Sequence, residues 1–129
     1  MKPRLLIAED DAELCQDYAR FFAARGFDVE TASNALECLK KIRQTNPTVL
    51  LLDLQLRWGG GDGVVAWLRE EQQAPRIPVV LTTTANSVKS YAGLVERPVV
   101  RCLEKPFPLT ALLESVRSAA AVPKEGVIA

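Results

Sequence analysis

The chain of 129 residues contains no histidine, one methionine and three cysteines. Because histidine is the commonest side-chain general base and the commonest protein ligand for transition metals, its absence excludes enzymes and metal centres that depend on it. Cys15, Cys38 and Cys102 are far apart and odd in number, so they form neither a disulfide framework nor a metal-binding pair. We expect three free thiols in a reducing compartment, and therefore a cytoplasmic protein.

We also expect neither a signal peptide nor a membrane-spanning segment, since there is no N-terminal apolar h-region and no run approaches the ~18 residues that a spanning helix needs. The 16 basic and 16 acidic residues cancel, and no stretch concentrates positive charge. We therefore expect no direct contact with nucleic acid or with a membrane. The length fits one domain at residues 1–121, with residues 122–129 as a linker stub or disordered tail.

Short apolar runs alternate with segments of helical periodicity. The runs predict five strands, at residues 4–8, 27–32, 48–52, 77–82 and 99–103. Helices are predicted after Asp11, after Ser33 or Asn34, after a flexible glycine-rich loop at 58–63 with Asp62 as the cap, at 86–95, and from Pro108. Runs that are apolar on both faces are typical of a parallel sheet covered by helices on each side, so the sequence predicts a doubly wound α/β fold.

Polar side chains follow the ends of these predicted strands. They are Glu9, Asp10 and Asp11 after the first, Asp53 after the third, Thr83 after the fourth, and Glu104 and Lys105 after the fifth. Ligands of open parallel sheets bind outside the carboxyl ends of the strands, so we expect a shared site there. Asp11 is expected only to cap the first helix.

A cluster of carboxylates requires positive charge nearby. Two unit charges ~4 Å apart repel by about 4 kcal/mol at an effective dielectric constant of ~20. Lys105 supplies one cation, and Mg²⁺, with Mn²⁺ as an alternative, is the natural second because it prefers carboxylate and phosphate oxygens. Together with the hydroxyl of Thr83, these groups predict a phosphoryl-transfer site whose nucleophile is Asp53.

Four separated motifs resemble the receiver domains of two-component response regulators: LLIAEDD, LLLD ending at Asp53, IPVVLTT ending at Thr83, and EKPF from Glu104. The resemblance implies a flavodoxin-like, five-stranded parallel sheet of order 2-1-3-4-5 with helices on both faces. It also implies a signalling switch rather than an enzyme, in which Asp53 becomes an aspartyl phosphate in a Mg²⁺-dependent reaction. The donor would be a phosphohistidine on a sensor histidine kinase or a histidine phosphotransfer protein.

The resemblance further implies individual roles in the site. Asp10 is the direct Mg²⁺ ligand, Glu9 acts largely through water, and the backbone carbonyl of Gln55 is another ligand. Thr83 senses the phosphoryl group, and Lys105, whose bond to the following proline is expected to be cis, pairs with it. The change is then relayed through the face formed by the last two helices and the fifth strand, to an output domain, a downstream protein or a second copy in a homodimer.

Five features depart from the pattern of the family, among them Thr84 after Thr83 and Pro98-Val99 in place of a usual Gly-Ala. Arg57 stands where the family usually has proline, and the segment at 58–63 is longer than usual. Cys102 stands where the family has an aromatic residue that rotates on activation, so we expect the signal to travel through residues 86–98 instead. Trp58 is expected to pack locally rather than to mark a surface for a partner.

Two alternatives use similar residues. A phosphatase of the haloacid dehalogenase type also combines Asp, Mg²⁺, Thr and Lys, but it carries two carboxylates as DxD after the first strand, which residues 8–11 do not match. A flavodoxin-like flavin carrier requires a phosphate-binding loop at the same place, where the acidic residues here would repel phosphate.

Overall fold

Five parallel strands form one sheet in the computed structural model, which describes residues 2–84 and 96–121. The strands are β1 (Arg4–Ala8), β2 (Asp28–Ala32), β3 (Val49–Asp53), β4 (Val79–Thr84) and β5 (Val99–Lys105). Their order is β2-β1-β3-β4-β5, which confirms the predicted doubly wound fold. Because β1 lies between β2 and β3, the carboxyl ends of β1 and β3 are neighbours at one edge of the sheet.

Helices cover both faces of the sheet. Those within the described residues are α1 (Ala12–Ala23), α2 (Ala35–Thr45), α3 (Gly60–Glu70) and α4 (Leu109–Ala120). Successive side chains of a strand point to opposite faces, which divides the core into two clusters. Leu6 and Leu50 pack with α2 and α3, whereas Leu5 and Val49 pack with α1 and α4. Strands buried on both faces therefore explain the continuous apolar runs in the sequence.

Local capping fixes where the first two helices begin. The side chain of Asp11 accepts a hydrogen bond of 3.1 Å from the backbone amide three residues later, as predicted. The side chain of Asn34 does the same at 2.9 Å, so Asn34 rather than Ser33 is the cap of α2. Caps of this kind stabilise a helix by about 1 kcal/mol. Helix α2 ends at Thr45, and the following Asn46 has a left-handed φ of 49°.

The glycine-rich segment is not the loop that the sequence predicts. Helix α3 already begins at Gly60, directly after Gly59 with its φ of 111°. Asp62 lies within the first turn and accepts a hydrogen bond from the adjacent Gly63 amide, so its predicted role as the cap is wrong. Helix propensity is a weak guide, and the tertiary contacts of Gly61 with the end of β3 outweigh it here.

Other boundaries differ from the predicted ones by one or two residues. Strand β4 runs from Val79 to Thr84, and β5 continues to Lys105, so the site residues at these ends lie within strands. The predicted helix at 86–95 and the tail at 122–129 lie outside the described residues, and the domain boundary at 121 stays a prediction. Within the two described ranges, no helix combines the length and the apolar character needed to cross a membrane.

Candidate functional site

The carboxyl edge of the sheet collects polar side chains from four strands. Glu9 follows β1, Asp53 ends β3, Thr83 lies in β4 and Lys105 ends β5. The backbone amide of Glu9 donates to the carbonyl of Ala32 at 3.0 Å, which continues the β1–β2 ladder and fixes the direction of the chain there. Strand order thus brings together residues that are far apart in the sequence.

Three carboxylates converge at this edge. Glu9, Asp10 and Asp53 each offer one oxygen, and these oxygens all lie within 4.8 Å of one another. Glu9 and Asp53 are each only 3% exposed. Solvent therefore screens their mutual repulsion poorly, and nearby cations must offset it.

Lys105 places a cation beside the two buried carboxylates. Its Nζ lies 2.9 Å from Oε1 of Glu9 and 3.7 Å from Oδ1 of Asp53. The ammonium group can therefore donate a charge-assisted hydrogen bond to Glu9, whereas its interaction with Asp53 is longer and mainly electrostatic. The bond between Lys105 and Pro106 is cis, as predicted.

Burial raises the pKa of Glu9 above its ordinary value. The hydrogen bond from Lys105 opposes this rise, and the negative charge of Asp53 adds to it. Desolvation outweighs the ion pair because it disfavours the charged form of a buried carboxyl. In the absence of a metal ion, the charged form of Glu9 is therefore destabilised by its surroundings.

The donor atoms of this cluster fit a hard divalent cation. All are carboxylate oxygens, as Mg²⁺ and Mn²⁺ prefer. Among the described residues, the charges of the three carboxylates also exceed what their two cationic partners, Lys105 and Arg57, balance. The backbone amide of Gln55 donates to Oδ1 of Asp53 at 3.0 Å, which brings Gln55 beside the cluster. Its carbonyl stays a predicted ligand.

Thr83 and Gln55 form a direct contact that sequence reasoning missed. Thr83 is fully buried, and its Oγ1 accepts a hydrogen bond of 2.9 Å from Nε2 of Gln55. Gln55 follows β3 and Thr83 lies in β4, so only the pairing of the two strands makes them neighbours. The hydroxyl predicted to sense a phosphoryl group is thus already engaged by an amide.

Arg57 is a second site residue that the sequence did not assign to the cluster. Its Nε lies 3.4 Å from Oδ2 of Asp10, and the Asp10 side chain is 22% exposed. The backbone carbonyl of Arg57 accepts from the amide of Ala35 at 2.9 Å, which attaches this loop to the start of α2. The only sequence signal was the presence of arginine where the resemblance implies proline.

Gly61 allows α3 to begin directly against the proposed phosphoacceptor. Its amide donates to the carbonyl of Leu54 at 3.0 Å. A Cβ atom at Gly61 would lie 2.6 Å from the carbonyl oxygen of Asp53 and 2.7 Å from Cα of Leu54. The packing of these two backbones therefore requires glycine.

Trp58 and Cys102 differ in how far they are exposed to solvent. Trp58 is 70% exposed, so the prediction that it packs locally is wrong. Cys102 pairs with Leu81 across β4 and β5 and contacts the cluster that includes α2 and α3. All three cysteines are free, as predicted.

Comparisons with known proteins identify related sequences. The chain matches the family described as response regulator receiver domain over residues 5–117. It is 32% identical over 116 residues to a CpxR homolog, a transcriptional regulatory protein of Haemophilus influenzae, covering 89% of this chain and 49% of that protein. It is 30% identical over 118 residues to the DNA-binding response regulator MtrA of Mycolicibacterium paratuberculosis, covering 92% of this chain and 51% of MtrA. The chain spans about half the length of these curated relatives.

Solved structures share the same architecture. A CheY-like response regulator receiver domain protein from Methanospirillum hungatei superposes with a TM-score of 0.82 at 21% identity, covering 93% of this chain and 94% of that one. The receiver domain of Francisella response regulator 1452 gives a TM-score of 0.83 at 24% identity, with coverage of 92% and 97%. At these identities the structural likeness shows the fold alone.

Proposed function

This chain belongs to the receiver-domain family of two-component response regulators, and on that premise we propose that Asp53 accepts a phosphoryl group from a phosphohistidine on a partner protein. The observation that supports this assignment is the position of Asp53. Asp53 is the last residue of the central strand β3. Its carboxylate lies 3.7 Å from Nζ of Lys105 and belongs to the carboxylate cluster with Glu9 and Asp10. Receiver domains are signalling switches, so the aspartyl phosphate formed at Asp53 would act as a signal and not as a metabolic product.

The proposed step requires a carboxylate nucleophile and a leaving imidazole. A carboxylate oxygen of Asp53 attacks phosphorus, the P–N bond breaks, and the departing imidazole keeps its electron pair and takes up a proton. The chain itself contains no histidine that could act as the donor. A sensor histidine kinase or a histidine phosphotransfer protein would supply it.

Receiver domains bind Mg²⁺ in an acidic pocket, and we assign this role to the carboxylate cluster. Asp10 is the proposed direct ligand together with Asp53 and the backbone carbonyl of Gln55, while Glu9 acts largely through water. When bound, Mg²⁺ or Mn²⁺ would neutralise negative charge on the phosphoryl oxygens. The burial of Asp53 and Glu9 supports this assignment, because buried carboxylates gain most from an added cation.

Thr83 and Lys105 are the proposed contacts of the phosphoryl oxygens. Lys105 lies nearer to Glu9 than to Asp53 before phosphorylation, and the new negative charge at Asp53 would draw its ammonium group away from Glu9. Thr83, whose Oγ1 accepts from Gln55, would donate its hydroxyl proton to a phosphoryl oxygen. These two changes at β4 and β5 would start the relay towards an output domain, a downstream protein or a second copy.

The proposal extends to partners and location. MtrA is named a DNA-binding protein, and that property belongs to MtrA. For this domain we propose contact with a histidine kinase or phosphotransfer protein, a cytoplasmic location, and no direct contact with nucleic acid or membrane. The family membership favours this function over the phosphatase and the flavin carrier.

Incubation with acetyl phosphate tests the phosphoacceptor. With Mg²⁺ present, intact mass should increase by one phosphoryl group in the native chain, and a chelator should abolish the increase. Asp53→Asn should take up none, because an amide is a poor nucleophile. Asp28→Asn is the matched control, since Asp28 lies at the opposite end of the sheet and pairs with Arg4. Phosphorylation of the Asp53→Asn variant, or uptake that the chelator does not reduce, would exclude the assignment.

A further inference from the structure

We propose that Arg57 is a built-in competitor of the metal ion: its guanidinium group neutralises Asp10 in the metal-free protein and weakens divalent cation binding there. This inference rests on the proposed function, because it takes Asp10 to be a ligand of Mg²⁺. Arg57 acts through Asp10 and is therefore a positioning residue rather than a catalytic one.

The first observation is how the two cations are divided among the three carboxylates. Lys105 lies 2.9 Å from Glu9 and 3.7 Å from Asp53. Arg57 lies 3.4 Å from Oδ2 of Asp10. Each carboxylate of the cluster therefore has a cationic neighbour before any metal ion binds. Lys105 lies beside the buried carboxylates of Glu9 and Asp53, and Arg57 lies beside the more exposed carboxylate of Asp10.

The second observation is that the backbone of Arg57 is held in place on both sides. The preceding Leu56 is buried, and its amide donates to the carbonyl of Asp53 at 3.1 Å. The carbonyl of Arg57 itself accepts from the amide of Ala35 at 2.9 Å. The guanidinium group is thus attached through its own flexible side chain to a fixed backbone point near Asp10, which gives it a high local concentration there.

A cation that binds Asp10 must therefore overcome the positive charge of Arg57 as well as the loss of the ion pair. The side chain of Arg57 is 76% exposed, so solvent weakens both effects. Exposed ion pairs are typically worth up to about 1 kcal/mol, and such a free energy changes an equilibrium constant by up to about fivefold. We expect removal of the charge to tighten Mg²⁺ binding by about threefold.

Equilibrium Mg²⁺ titrations of the full chain, followed by calorimetry, test this inference. Arg57→Gln should lower the dissociation constant about threefold, whereas Arg57→Lys, which keeps the charge, should remain close to the native value. Arg117→Gln is the control, because it removes the same charge from the exposed side of α4. The difference in Mg²⁺ dissociation constant between Arg57→Gln and the native chain should become smaller at high ionic strength, since salt screens exposed charges.

The outcomes separate this inference from the function on which it rests. Equal Mg²⁺ affinity of Arg57→Gln and native protein, weaker binding by Arg57→Gln, or an equal gain in Arg117→Gln would overturn the role of Arg57. If Asp10→Asn abolishes binding in the same series, the proposed metal site nevertheless stands. If no variant binds Mg²⁺, or Asp10→Asn binds it normally, the proposed metal site itself is wrong.

Discussion

Replacement of Gly61 by alanine should destabilise the protein and disturb Asp53, although alanine is the better helix former. Gly61 lies in the first turn of α3, where its backbone contacts the end of β3. An added Cβ would lie 2.6 Å from the carbonyl oxygen of Asp53 and 2.7 Å from Cα of Leu54. Both neighbours are backbone atoms of a buried segment, so no side-chain rotation can relieve the clash.

The size of the effect follows from two opposing contributions. Alanine in place of glycine within a helix stabilises by roughly 0.5–1 kcal/mol. To reach an ordinary contact of 3.4 Å, the backbones at Gly61 and Asp53 would have to separate by about 0.8 Å. Strain from such overpacking typically costs about 1–3 kcal/mol. The net of these two contributions is about 0–2.5 kcal/mol, so we expect Gly61→Ala to lower the free energy of unfolding by about 1 kcal/mol.

Gly63 provides a matched control two residues further along the same helix. A Cβ at Gly63 would meet no heavy atom within 4 Å, and its φ is not in the left-handed region. Gly63→Ala should therefore raise the free energy of unfolding by roughly 0.5–1 kcal/mol, through helix propensity alone.

Urea denaturation followed by tryptophan fluorescence measures both variants, because Trp67 lies in α3 and is partly buried. Phosphorylation by acetyl phosphate is the second measurement. Gly61→Ala should lose phosphate uptake as well as stability, since the strain acts on Asp53, whereas Gly63→Ala should retain uptake. Equal stabilisation by the two substitutions would refute the argument that α3 packs against the backbone of Asp53.

Two further predictions concern buried ionisable groups. Because burial raises the pKa of Glu9 in the folded protein, Glu9 contributes stability at pH values below its unfolded pKa, and this contribution is lost as pH rises through the folded pKa. In metal-free buffer, Glu9→Gln should therefore gain stability over the native protein as pH rises from 4 to 7. A difference in the free energy of unfolding that stays constant across denaturation curves at several pH values would contradict this. Burial raises the pKa of Cys38 to about 12, which leaves about a thousandfold less thiolate at pH 8 than an ordinary thiol has. Mass spectrometry after iodoacetamide treatment should find Cys38 unmodified until the protein unfolds, whereas the partly exposed Cys102 reacts first. Early modification of Cys38 in the folded protein would contradict this prediction.

Much of the fold could be predicted from the sequence because its signals are local. The apolar runs that become β1 and β3 are buried on both faces, and burial of such runs requires covering helices on each side. Asp11 and Asn34 cap helices through bonds to amides only three residues away. These interactions depend on a few consecutive residues, so their pattern is visible before the chain folds.

The glycine-rich segment shows where local signals mislead. Several glycines within residues 58–63 predict a loop, because glycine weakens a helix. In the structure Gly60 already begins α3, and the contact between Gly61 and the end of β3 permits no larger residue at that position. A close approach between two backbones is a property of the packed fold and leaves no periodic pattern in the sequence.

The candidate site divides in the same way. The sequence by itself determined which groups stand at the strand ends: Glu9 and Asp10 after β1, Asp53 at the end of β3, and Lys105 at the end of β5. Parallel strands then require these groups to share one edge, whatever the details of packing.

Only the tertiary structure decided which groups of this edge contact one another. Gln55 donates to Thr83 across two paired strands, and Arg57 reaches Asp10 from a loop that is attached to the start of α2. Both contacts depend on the relative positions of segments that are more than 25 residues apart in the chain. Spacing along the sequence carries no information about such distances, because strand order and loop attachment set them only when the core forms.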